Sequence, residues 1–372
     1  MKKTFTLIVA LCCAAGLLSQ TTVTGTIQHE GVERRYRLRV PDGTAGERPL
    51  VFNLHGFGSN AFEQEVYAQM NAIADTAGFF VCYPDGLENS WNVGWGFGST
   101  ADDVGFISAL IDTLSADYAI DSKRVYSCGM SNGGFMSYRL ACELNDKIAA
   151  IASVTGSMAP AYLEDCNPGR PVPVLEIHGT ADDVVPYDGA EDLSVPINAL
   201  MEFWADNNNC GSEPSVEELP DVESGDSSTV AKVAYPDCEA GLQVLHFRVN
   251  GGGHTWPGSG ISIGVTNQDI NASLEIWRFF QLFSLDGLTN TGGAIRRPAF
   301  SPPFPNPTAG ELMLNLAAEG RISVYDSRGQ LLQRQVQPAG TAEIDLSQLA
   351  DGMYLIRLET MGASKAFSVM KQ

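Results

Sequence analysis

Serine, aspartate and histidine in a set chain order can split esters, and three segments offer them. Gly129-Met130-Ser131-Asn132-Gly133-Gly134 lies between a strand-like segment, 124–128, and a helix-like one, 132–144. A G-x-S-x-G run can arise by chance in a chain with 38 glycines, but the strand–turn–helix setting makes it a nucleophile elbow. The turn is tight enough to demand glycine around it. It lifts the Ser131 hydroxyl off the sheet and aims the free N–H groups of the next helix at a developing oxyanion. The base and its orienting acid should follow in the order Ser, Asp, His. Of five histidines, only His246 and His254 lie beyond the acid candidates. His246 sits inside an alternating strand, which fits a structural role. His254 lies in Gly251-Gly252-Gly253-His254-Thr255-Trp256-Pro257, a loop able to present an imidazole, and is the expected base. Asp182 follows the apolar strand 174–177, where open α/β sheets carry their active-site loops. It is the expected acid, with Asp183 as its rival. The expected oxyanion donors are the backbone N–H of Asn132 and that of Phe57 in His55-Gly56-Phe57-Gly58. His55 and His178 read as packed, hydrogen-bonded residues.

Elements must bring these segments together. Strand-like stretches at 35–40, 50–54, 79–83, 124–128, 149–154, 174–177, 230–235 and 242–249 alternate with helix-like ones at 62–77, 104–118, 132–144, 195–207 and 271–283. Strands separated by helices predict βαβ units and a mostly parallel sheet flanked by helices. Asp102 or Asp103 reads as the N-cap of the 104–118 helix rather than a cation site. The segment 213–228 is acidic and Ser-rich and reads as a solvated loop. Trp91, Trp95 and Trp256 lie in Gly-rich loops and pose a choice between core and pocket. Trp91 and Trp256 are the expected pocket residues.

The chain of 372 residues carries 44 acidic against 23 basic side chains, a net charge of −21. That excludes a nucleic-acid binder, which needs a basic face, and docking on anionic lipid. Lys2-Lys3, an apolar run from Thr6 to Ala15 and small residues before Gln20 read as a secretory signal over 1–20. Cys12 and Cys13 raise a lipoprotein alternative, but Leu11 stands where a small residue is needed. No other stretch is long and apolar enough to span a membrane. Export permits disulfides, and the local pairs Cys142–Cys166 and Cys210–Cys238 are expected. Cys82 and Cys128 lie in apolar strands and are expected as buried free thiols. No CxxC spacing suggests zinc, and neither metal nor organic cofactor is called for.

Residues 286–301 read as a linker rich in Gly, Asn, Pro and Thr. Six alternating segments follow in 302–372, with turns at Asp326-Ser327-Arg328-Gly329 and Asp351-Gly352, which predicts a small all-β sandwich. This end is nearly neutral, with 7 acidic and 6 basic residues. Pro305-Asn306-Pro307, Val324-Tyr325-Asp326, Gly352-Met353-Tyr354 and Lys371 resemble the type A C-terminal sorting domain of the type IX secretion system. The resemblance implies the type IX machinery as a partner and a secreted or cell-surface location. A carbohydrate-binding sandwich is the alternative, weakened by the lack of Trp and the presence of only two Tyr.

The central segment, 21–285, resembles the polyhydroxybutyrate depolymerase and feruloyl/acetylxylan esterase family of α/β-hydrolases. His55-Gly56-Phe57-Gly58, Trp91-Asn92, Asp102-Asp103-Val104-Gly105-Phe106, the elbow, His178-Gly179-Thr180-Ala181-Asp182 and Gly253-His254-Thr255-Trp256-Pro257 carry the likeness in that order. It implies an α/β-hydrolase fold and a secreted serine carboxylesterase working through an acyl-enzyme, with Ser131, Asp182 and His254 as triad. The expected substrate is an ester-bearing extracellular polymer: feruloyl or acetyl esters on plant polysaccharide, or poly(3-hydroxybutyrate) and its oligomers. A non-catalytic binding protein would lack one of the three triad residues, and all three are present.

Overall fold

The computed structural model describes residues 21–42, 46–289, 303, 305–316, 319–326, 329–360 and 363–372. The expected secretory signal and most of the expected linker lie outside the described residues.

Ten strands form one sheet in the order β1-β2-β4-β3-β5-β6-β7-β10-β9-β8. They are β1 (Thr21–His29), β2 (Val32–Val40), β3 (Arg48–Leu54), β4 (Phe80–Pro84), β5 (Ile120–Met130), β6 (Ala150–Val154), β7 (Val174–Gly179), β8 (Ser215–Glu218), β9 (Thr229–Tyr235) and β10 (Val244–Asn250). The six central strands, from β4 to β10, pair in parallel, and antiparallel ribbons close both edges. Parallel strands need covered faces, which is why β4 and β6 are buried at every residue. The helices are α1 (Ala61–Ala68), α2 (Met70–Ala77), α3 (Asp103–Asp117), α4 (Asn132–Glu143), α5 (Pro160–Asp165), α6 (Ile197–Asn207) and α7 (Ala272–Phe280). Adjacent residues of β5 point to opposite faces. Tyr126 stacks on Phe280 of α7, whereas Ser127 bonds to Ser137 of α4, so these helices cover opposite faces. This is the expected α/β-hydrolase fold.

Besides β1 and α5, which the sequence reading did not assign, three features depart from it. The helix expected over 62–77 is two helices, broken at Gln69 in the left-handed region (φ 53°). The break frees the carbonyls of Tyr67 and Ala68, which accept the hydroxyls of Ser259 and Ser273. The segment expected as an acidic loop contributes β8 at the sheet edge, with all four residues exposed. The expected linker begins with an ordered piece, because β12 (Gly287–Leu288) pairs with β11 (Phe283–Ser284).

Cys142 pairs with Cys166 and Cys210 with Cys238, as expected. Cys82 and Cys128 are free and buried, and burial pushes both thiols well above their usual range. Such thiols are unreactive.

Beyond residue 303, β13 (Glu311–Leu316) pairs with β16 (Gly340–Asp345). A second sheet runs β15 (Leu331–Gln337), β14 (Gly320–Tyr325), β17 (Gly352–Thr360), β18 (Ala363–Lys371). Leu312, Leu314 and Ile344 from the first sheet and Ile322, Val324 and Ile356 from the second share one buried cluster. It is separate from the cluster of the large sheet. Among the described residues, no helix is long and apolar enough to cross a membrane.

Candidate active site

The parallel strands β3, β5, β7 and β10 end at Leu54, Met130, Gly179 and Asn250. Their following loops therefore rise from one edge of the sheet, and these are the loops that carry Phe57, Ser131, Asp182 and His254.

Ser131 sits between β5 and α4 at φ 54° and ψ −122°. For a residue with a side chain this backbone is strained, and it persists only where its surroundings fix it. Its N–H donates to Val154 O at 2.8 Å, and its carbonyl accepts the N–H of Phe135. The neighbouring glycines make the turn possible. A Cβ on Gly133 would lie 2.2 Å from Leu54 O, and one on Gly129 would lie 2.5 Å from the Gly133 backbone. A Cβ on Gly56 would stand 3.5 Å from Ser131 Cβ, which places the His55–Gly58 loop against the elbow.

That loop is braced from beneath. His55 Nδ1 faces Gly56 O at 2.8 Å, while its Nε2 accepts the N–H of Gly86 at 2.9 Å. The ring is therefore a neutral Nδ1–H tautomer, and burial pulls its pKa down. Trp91 Nε1 donates to His55 O at 3.0 Å. The Asn132 side chain clamps the Trp91 backbone, accepting its N–H at 2.6 Å and donating to its carbonyl at 3.2 Å. The backbone N–H groups of Phe57 and Asn132 have no acceptor among the described residues. Two free N–H groups on adjoining loops are what an oxyanion hole requires.

His254 Nδ1 lies 2.8 Å from Asp182 Oδ2, with the Asp182 side chain fully buried and His254 16% exposed. Asp182 Oδ1 accepts the N–H groups of Val184 and Val185 at 2.9 and 2.8 Å. Burial pushes the Asp182 pKa up, but the bond to His254 and the Val185 N–H outweigh it and hold the carboxyl below its usual value. Asp183 is exposed. The Asp182 and His254 loops are stitched together, since Ala181 N–H donates to Gly252 O at 2.9 Å. Beyond His254, Trp256 N–H donates to Tyr67 Oη and its indole to Ser273 Oγ, both at 3.1 Å. An imidazole fixed by a buried carboxylate, on the same edge as a strained-turn serine and two free N–H groups, can run acyl transfer.

Trp91 and Trp256, the expected pocket residues, are buried. Each is 1% exposed, and each commits its indole N–H to a neighbouring loop or helix. Their rings support the Phe57 and His254 loops, because a large ring with one donor is an effective brace between loops. The open aromatic faces belong to Phe57 and Phe97, 52% and 54% exposed. Their ring centroids are 5.7 Å apart, and Trp95 stacks on Phe97 at 5.1 Å. The aromatic, Gly-rich loop 91–98 signalled a candidate pocket lining in the sequence, but not which rings face outward. Tyr67 and Ser273 gave no sequence signal, since each acts across long chain separations.

Among the described residues one grouping has metal-ligand types, His29, Glu30 and Asp102, with ligand atoms within 4.8 Å of one another. Asp102 Oδ1 caps α3 through Gly105 N–H and Oδ2 meets His29 Nε2 at 3.2 Å, so the carboxylate already has partners. Asp103 is buried against Arg34 at 2.6 Å.

Residues 34–193 match the family model described as Esterase PHB depolymerase, and residues 303–372 match that of the secretion system C-terminal sorting domain. The chain is 34% identical over 260 residues to NocK of Nocardia uniformis subsp. tsuyamanensis, a protein named as an esterase, covering 64% of this chain and 75% of that one. It is 30% identical over 275 residues to feruloyl esterase C of Emericella nidulans, covering 71% and 90%. The chain belongs to this esterase family. It is a carboxylic-ester hydrolase, and its sorting domain makes it an extracellular or cell-surface protein. The esterase is also 28% identical over 275 residues to the bifunctional acetylxylan esterase/xylanase XynS20E of Neocallimastix patriciarum, covering 73% of this chain but only 36% of that one.

Proposed function

We propose that the esterase is a serine carboxylesterase with Ser131 as nucleophile, His254 as base and Asp182 as its orienting acid. The 2.8 Å contact between His254 Nδ1 and the buried Asp182 carboxylate carries the reading. It leaves Nε2 as the nitrogen that takes the Ser131 proton. Ser131 Oγ attacks the ester carbonyl, and the Phe57 and Asn132 N–H groups hold the oxyanion. Imidazolium gives its proton to the departing alcohol. His254 then takes a proton from water, whose oxygen attacks the acyl-enzyme, and returns it to Ser131 Oγ as the acid leaves. Asp183 is exposed and lacks this contact, which supports Asp182 over its rival.

The substrate is an ester on an extracellular polymer, and the wall of Phe57, Trp95 and Phe97 beside the elbow favours a planar aromatic acyl group, the feruloyl ester of plant polysaccharide. The relative named feruloyl esterase C supports the same choice. Poly(3-hydroxybutyrate) is the second reading, favoured by the description of the matching family model. The type IX machinery is the partner that would take up the sorting domain. Purified esterase offered feruloylated arabinoxylan, acetylated xylan and 3-hydroxybutyrate oligomers should release ferulate with the highest kcat/KM. Faster release of acetate or 3-hydroxybutyrate would assign the wall another role.

A further inference from the structure

Behind Asp182 lies a pair of ionisable residues that ester hydrolysis does not use. Glu176 and His178 point to the same face of β7, and both side chains are fully buried. A carboxylate in the middle of a parallel sheet is costly, and an apolar side chain there would avoid the cost. His178 Nδ1 lies 3.1 Å from Glu176 Oε1, and Tyr138 Oη of α4 donates to Glu176 Oε2 at 2.7 Å. On the other side of the ring, His178 Nε2 lies 2.8 Å from Val185 O and 3.5 Å from Asp182 Oδ2. Both are acceptors, so Nε2 must carry a hydrogen. Nδ1 and Glu176 Oε1 face each other at hydrogen-bond distance, which takes one proton between them, resident on either atom.

We propose that Glu176 and His178 share one buried proton that locks the Nε2–H of His178 onto Val185 O, and that this clamp positions Asp182 for His254. The proposal rests on the reading of Asp182 as the residue that orients His254. Its logic is a closed chain. Val184 and Val185 hold Asp182 Oδ1 with their N–H groups, and the carbonyl of the same Val185 is held by His178. Oδ2 is left for His254. If Nδ1 lost its partner, the ring would be held from one side only, and the 182–185 turn would lose a rigid anchor. The pair is neutral in either proton arrangement, so it fixes the turn without adding charge near His254.

Few other groups face the pair. From α4 there is Tyr138, and from β6 Ser153, in register with Glu176. From β10 there is His246, whose Nδ1 lies 3.3 Å from Glu176 O. Tyr187 packs edge-on against His178 and meets His246 Nε2 at 3.0 Å, and Arg248 lies near His246 and Tyr187. Burial pushes the Glu176 pKa up despite its hydrogen bonds. Burial pulls His178 down, but Glu176 and Asp182 more than offset it and raise the net value. Both directions favour keeping the proton on the pair.

The test combines two variants with a spectroscopic readout on the full chain. Glu176→Gln can accept from Tyr138 and donate to an unprotonated Nδ1, so it should retain most of the parent kcat. Glu176→Leu should lower kcat on the order of tenfold with KM little changed, as a displaced orienting group does. Nitrogen-15 histidine NMR of the parent should show His178 Nε2 protonated, with no titration from about pH 5 to 9, a window around the ordinary histidine value. A folded Glu176→Leu esterase with parental kcat would overturn the proposal. So would a parent His178 that titrates in that window, a result that stands even if the leucine variant does not fold. Loss of the underlying reading is separable, because it would appear as an Asp182→Ala protein with the parental kcat, whatever the state of His178.

Discussion

His246 sits in register with Glu176 on the face of β10 that packs inward, and burial there has a pH signature. Burial, and then the neighbouring His178, pull its pKa from 6.5 to about 3. The unfolded chain therefore takes up this proton first as pH falls. The contribution to stability is full above about pH 6.5 and declines by up to ~1.4 kcal/mol per pH unit toward pH 3. His246→Gln cannot take up the proton. Its unfolding free energy in urea should fall less steeply than the parent's between pH 6.5 and 4, by about that slope, and equal slopes would contradict the assignment. The sequence marked His246 as structural from strand alternation alone. It marked Ser131 and His254 as well, because each lies in a short run whose glycines have a local reason. Trp91 and Trp256, expected at the pocket, are buried, and loop composition does not reveal which way a ring turns. The Glu176–His178–Val185 chain was illegible for a different reason: its meaning depends on Tyr138 and Asp182, brought in by α4 and a loop.

At the scale of elements, the elbow depends on α4 packing against the end of β3. Gly133 is where the two backbones meet, and a Cβ there would sit 2.2 Å from Leu54 O. Backbone cannot yield as a flexible side chain can. Gly133→Ala should cost about 2–3 kcal/mol in unfolding free energy and lower kcat, because Leu54 leads directly into the His55–Gly58 loop. Gly96→Ala, where a Cβ meets nothing within 4 Å, should stay within about 0.5 kcal/mol of the parent in the same denaturation assay. The periodic elements were legible in outline, as β5, α4 and β7 were. The break at Gln69 was not, because the apolar spacing of 62–77 runs straight through it. What breaks the helix is tertiary: Ser259 and Ser273 claim the carbonyls of Tyr67 and Ala68. The same contacts steady the loop that carries His254 and Trp256.

At the scale of the whole molecule, the two buried clusters have no residue in common. The acidic charge belongs to the esterase part, with 37 acidic and 15 basic residues in 21–301, against 7 and 6 beyond. Both disulfides lie in the esterase part, so removing the tail leaves them closed. We propose that the sorting domain serves export and not catalysis, and a chain ending at residue 289 should keep the parent kcat/KM on a soluble aryl ester. A loss of tenfold or more would tie the tail to the active site, for instance through the backbone contact of Asn306 with Gly260. The central claim is that Ser131, driven by His254, is the nucleophile. Its most direct test is peptide mapping after treatment with a fluorophosphonate, which phosphonylates an activated serine. One adduct on Ser131, strongly reduced in His254→Ala and matched by loss of hydrolysis in Ser131→Ala, is the predicted result. An adduct on another serine, or full hydrolysis by Ser131→Ala, would contradict the account.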